Sequence, residues 1–108
     1  MLEFDQRQYR LMLATLDSFL DGKSHIDVAI SSLEGLLNAL KHRDDAWKQS
    51  FLRLWGRLED ERAVALFRGA EVLDADSTQR TYDAANQLKL LVLEKIEDPN
   101  FVDPRADP

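Results

Sequence analysis

Cysteine is absent from the 108 residues, which excludes disulfides, thiolate metal sites and cysteine nucleophiles together and gives no sign of an oxidising compartment. Glycine occurs only four times, and no glycine-rich phosphate loop can be assembled from those positions. The two histidines, His25 and His42, belong to no His-x-x-x-His or Glu-x-x-His pair, so neither metal nor cofactor is expected. No apolar run approaches the roughly 18 residues that span a bilayer, and Met1-Leu2-Glu3-Phe4-Asp5-Gln6 lacks the basic patch and apolar stretch of a secretion signal. A cytoplasmic protein without a membrane partner is expected. The serines, Ser18, Ser24, Ser31, Ser32, Ser50 and Ser77, fall in no nucleophile elbow or Ser-x-x-Lys pattern, and no enzyme is expected.

What is present is a chain of one-domain length with 44% hydrophobic residues, enough for one core. Fourteen basic and twenty acidic side chains leave a net charge of −6, which points away from nucleic acid and towards neutral or basic partners. Half of that charge belongs to the end of the chain. After Ile96, Glu97, Asp98, Asp103 and Asp107 stand against Arg105 alone. All three prolines also lie in the last ten residues, so residues 1–98 read as the folded domain and 99–108 as an extended Pro/Asp-rich tail.

Four segments carry an apolar period of three to four residues, and none reads as a strand. Tyr9, Met12 or Leu13, Leu16 and Phe19 or Leu20 mark a first helix from about Phe4 to Asp21, with Gly22 placed for a left-handed cap. Ser24 is positioned to cap a second helix that buries Ile26, Ile30, Leu33, Leu37 and Leu40. After Asp44 or Asp45, a third stripe runs through Trp47, Phe51, Leu54, Leu58 and Ala65. Its last stretch, Ala63 to Phe67, is apolar all round, which predicts either burial on several sides or a stop at Gly69. Asp76 or Ser77 is expected to cap a fourth helix with Thr81, Ala84, Ala85, Leu88, Val92 and Ile96 inward. Leu90, Leu91 and Leu93 should make it the most enclosed of the four, and Pro99 should end it. Short connections favour antiparallel neighbours. The expectation is an all-α, single antiparallel four-helix bundle with a flexible C-terminal tail.

Two side chains break the pattern. Arg62 lies near the Trp47, Phe51, Leu58 stripe, where it must snorkel to water or pair with an acid on a neighbouring helix. Phe67 lies opposite that stripe, so its exposure would favour a homodimer or docking contact. Glu59-Asp60-Glu61 cannot converge on one reacting atom, because three consecutive helical residues fan over about 200°.

The segments Phe19-Leu20-Asp21-Gly22-Lys23, Leu33-Glu34-Gly35-Leu36-Leu37, Trp47 to Phe51, Trp55-Gly56-Arg57-Leu58-Glu59-Asp60 and Ala63-Val64-Ala65-Leu66 together resemble small helical bacterial immunity proteins of contact-dependent growth inhibition and bacteriocin systems. The resemblance covers most of the first 96 residues and departs from the pattern at Arg62, where an aromatic is usual. It implies a protein that neutralises a toxin domain, often a nuclease, by stoichiometric occlusion. A basic toxin would be steered by acidic surface. Charge density places that surface on Glu59, Asp60, Glu71, Asp74 and Asp76. The alternative is a homodimeric scaffold or regulatory adaptor paired through Val64 and Phe67.

Overall fold

In the computed structural model, which describes residues 3–42, 44–69 and 73–96, the chain forms four helices: α1 (Glu3–Leu20), α2 (Ile26–Ala39), α3 (Asp45–Phe67) and α4 (Ala75–Leu93). Among the described residues there is no strand. Each helix packs on the next and α4 returns to α1, so the four stand in a ring. Their directions alternate. The start of α1 meets the end of α4 where Gln6 Nε2 donates to the Lys95 carbonyl at 2.7 Å. The start of α3 meets the end of α4 where the Trp47 indole N–H donates to the Leu91 carbonyl at 3.0 Å. The Trp55 indole likewise reaches the Ile30 carbonyl at 2.9 Å, which ties the middle of α3 to the first half of α2.

The core is built by the predicted stripes. Met12 and Leu16 from α1, Leu33 from α2, Phe51 and Leu58 from α3, and Leu88 and Val92 from α4 are fully enclosed, each contributing about 1.5–3 kcal/mol by burial. Diagonal helices meet only through side chains. Tyr9 stands edge-on to Trp47, with ring centres 5.4 Å apart at 79°. Ala84 and Ala85 are buried, and their small side chains let α4 lie close to its neighbours.

The helix ends match the local sequence pattern at α1 and α3 and depart from it at α2 and α4. Gly22 takes a φ of 75°, its N–H donates to Phe19 and the N–H of Lys23 donates to Ser18, which is the cap expected after Asp21. Asp44 caps α3 by accepting from the Trp47 N–H at 3.1 Å. Ser24, however, does not cap α2. His25 does, with extended backbone and its Nδ1 accepting from the Asp27 N–H. Nor does Asp76 or Ser77 cap α4. Asp74 accepts from the Ser77 N–H at 2.7 Å, which starts the helix two residues earlier and buries Ser77 instead.

One expectation about enclosure is overturned: Leu90 and Leu93 of α4 are exposed, because the ring arrangement gives α4 two neighbours and leaves its outer side in water. At the end of α3 the second of the two alternatives holds: Val64, Leu66 and Phe67 are exposed, and the helix stops just before Gly69, whose φ is 71°. The stop at Pro99 and the tail 99–108 lie outside the described residues. No helix of the described residues is long and apolar enough to cross a membrane.

Candidate functional site

The predicted acidic positions lie along α3 and at the start of α4. Glu59 and Asp60 are exposed on the outer side of α3, and Asp74 and Asp76 are exposed where α4 begins. Glu71 lies outside the described residues. The fold does not make these acids a uniform negative surface. Asp60 borders a hollow shared with Arg57, Glu61, Arg80 and Asp83, and Asp74 borders another shared with Glu61, Arg68 and Arg80. Arginines stand beside the carboxylates in both hollows.

Several of these charges already have structural partners. Glu61, only 16% exposed in its side chain, accepts from the Ser77 hydroxyl and from Arg80 Nε, with Arg80 NH2 also donating at 3.2 Å. The bond from Arg80 holds the Glu61 carboxyl below its ordinary range, with Ser77 adding to the effect against the cost of burial. The same carboxylate raises Arg80. Asp74 is occupied by the α4 cap and lies 3.7 Å from Arg68. Among the described residues Glu59, Asp60 and Asp76 make no hydrogen bond or ion pair of this kind.

Phe67 is the outstanding apolar feature. It is 93% exposed at the last residue of α3, beside Leu66 at 58% and Val64 at 45%. Isolated exposed leucines are ordinary, whereas here an aromatic ring is left almost wholly in water beside two other exposed apolar side chains of the same helix end.

Next to it, the end of the bundle opens into a cleft of about 610 Å³ to which all four helices contribute. Phe19 comes from the end of α1, Ile26 from the start of α2, Ala65 and Leu66 from α3, and Tyr82 from α4. Phe19 and Tyr82 stack edge to face at 5.4 Å across its wall. At the rim, Arg62 donates through Nε to Asp27, pairing α3 with α2. That bond resolves the departure at Arg62: it meets an acid on a neighbouring helix at a half-exposed position. Ser24, displaced from the capping role, lines the cleft, and its hydroxyl oxygen is buried without a hydrogen-bond partner among the described residues.

The cleft was not foreseen from the sequence. Its lining comes from four helix ends whose register depends on which residue caps α2 and α4, and both caps differ from those the local pattern favours. Among the described residues no group of three or more His, Asp or Glu side chains is gathered as a metal site.

Comparisons with protein-family models, with curated proteins and with solved structures give no match.

Proposed function

We propose that this chain is an immunity-type binding protein that neutralises a cognate basic toxin domain by forming a stoichiometric complex, with Phe67 as the apolar anchor and Glu59, Asp60 and Asp76 as steering charges. The observation that carries the reading is the 93% exposure of Phe67 at the end of α3, within a short distance along the chain of exposed acids that make no ion pair among the described residues. Aromatic anchors surrounded by polar groups dominate protein interfaces, and the net charge of −6 favours rapid encounter with a basic surface.

The test is a binding titration against a basic toxin domain encoded beside this chain, with association and dissociation measured separately. A one-to-one complex is expected. Phe67→Asp should weaken it by about 2 kcal/mol, chiefly through faster dissociation, and reversal of Glu59 and Asp60 to lysine should slow association and reduce its salt dependence. A complex indifferent to both changes would overturn the assignment of this face, and absence of any complex would overturn the function.

The exposed Phe67, Leu66 and Val64 cluster also favours a second reading, a homodimeric scaffold or adaptor in which two such ends meet. Light scattering on the wild-type protein separates the two. A monomer removes the second reading, whereas a dimer that Phe67→Asp dissociates supports it.

A further inference from the structure

We infer that the outer face of α3 pairs with the same face of a second copy of this chain, antiparallel about a two-fold axis beside Gly56. The inference rests on the homodimer reading and assigns its orientation and register.

Helical geometry defines the face. At about 100° per residue, Gln49, Leu52, Ala63 and Phe67 all lie within about 40° of the direction of Gly56. Trp47, Phe51, Leu54 and Leu58, which enter the core, lie about 140–180° away. Gln49, Ala63 and Phe67 are exposed, as is Leu52 at 38%. Gly56 is the middle residue of the 23 in Asp45–Phe67. A glycine inside a helix is destabilising relative to alanine, and a Cβ at this position would meet nothing within 4 Å. The fold of the single chain therefore makes no use of the missing side chain, whereas a second helix crossing there does.

The charges select a second copy. Arg53 and Asp60 stand two turns apart on α3, about 60° and 40° to the same side of Gly56, and neither forms an ion pair among the described residues. A two-fold axis perpendicular to both helices reverses the chain direction and brings like flanks together. With the axis beside Gly56, midway between positions 53 and 60, Arg53 meets Asp60 of the second copy, and Asp60 meets its Arg53. Leu52 falls against Ala63 of the copy. The Phe67 ring falls over the first turn of the copy's α3, between Asp45 and Gln49. A parallel pair brings opposite flanks together and forms neither ion pair, and a uniformly basic surface would meet Arg53 with like charge. Self-complementarity of this kind is what a two-fold interface requires. Contact along one helix of about 33 Å is at the small end of specific interfaces, so a dissociation constant on the order of 10–100 μM is expected.

The experiment is sedimentation of the full chain from about 5 μM to 1 mM at low salt, with charge exchange and cross-linking to fix the register. Arg53→Asp should weaken the dimer at least about tenfold, because both ion pairs become like-charge contacts. Adding Asp60→Arg to that variant should restore affinity to within about threefold of wild type. The chain has no cysteine, so Gly56→Cys supplies a single thiol, at a position where the fold has room for it. On oxidation it should link two copies, which needs the Cα atoms within about 7 Å, whereas Ser31→Cys on the exposed side of α2 should not. A wild-type monomer up to about 1 mM overturns this pairing together with the homodimer reading. A dimer that Arg53→Asp leaves intact, that the double exchange does not restore, or that Gly56→Cys does not link overturns the pairing while the homodimer reading stands.

Discussion

The carboxylate of Asp5 accepts the backbone N–H of His42 at 2.7 Å through one oxygen and that of Lys41 at 2.9 Å through the other. The side chain is fully buried. It lies in the first turn of α1, where the helix dipole favours negative charge, and it binds that turn to the segment that follows α2.

Replacing Asp5 with Ala should therefore cost about 3 kcal/mol, because two backbone donors would lose a charged acceptor in a place that water does not readily fill. Asp5→Asn keeps one acceptor oxygen and should lose about half as much. Urea unfolding measures both, and equal losses for the two variants would contradict the two-bond account.

The inward stripes, the left-handed cap at Gly22 and the capping by Asp44 were legible in the sequence, because each depends on residues within one or two turns of one another. The role of Asp5 was not. Its partners are 36 and 37 residues away, and a lone acid at a helix start looks the same whether it faces water or a distant backbone. The capping errors have a related cause. Ser24 and His25 both offer an acceptor, and only the packing of Ile26 into the core decides which of them stands at the helix boundary. On the candidate site, the exposure of Phe67 follows from its position opposite the α3 stripe. The interleaving of Arg57, Arg68 and Arg80 with the acids does not, since it depends on the register of α4 against α3.

Arg62 and Asp27 are 40% and 46% exposed, so water screens their attraction. Arg62→Met should change stability by less than about 1 kcal/mol, and the double variant with Asp27→Asn should differ little from the sum of the singles. A coupling well above that in a double-mutant cycle would show the pair to be a structural necessity.

Glu61 gives the protein an acid limb with a defined sign. Its folded-state pKa lies below the ordinary 4.5, chiefly through the bond from Arg80. An unfolded chain consequently binds more protons than the folded one as acidity increases, and stability falls. The contribution is complete above the ordinary pKa and disappears as the pH drops through the folded value. Glu61→Gln should be less stable than wild type at neutral pH, with the difference narrowing towards pH values well below 4.5. A constant difference across a pH series of thermal melts would refute this. Asp44, lowered mainly by its bond from Lys95, contributes to the same limb.

Two apolar residues of α3 should behave in opposite ways. Leu58 is fully enclosed, and Leu58→Ala should cost about 2–5 kcal/mol through lost burial and the cavity left behind. Phe67→Ala should remain within about 0.5 kcal/mol of wild type, as expected for a side chain outside the packed core. Denaturant midpoints give both values. A large loss at Phe67 would mean that the ring supports the fold and would remove it from the partner surface.

The two ends of the bundle are closed by different means. At one end, Asp5, Gln6 and Trp47 carry side-chain bonds to the backbone of distant segments, and Lys95 pairs with Asp44. At the other, Gly22 and Gly69 turn the chain around an open cleft. Backbone amides should therefore exchange with solvent deuterium by two routes. Those of the Asp5 and Trp47 end require opening of the whole domain, whereas those at the starts of α2 and α4 are released by local fraying with a lower free energy. The end that offers the cleft and the exposed ring is thus also the end that can reshape around a visitor while the rest of the bundle stays folded.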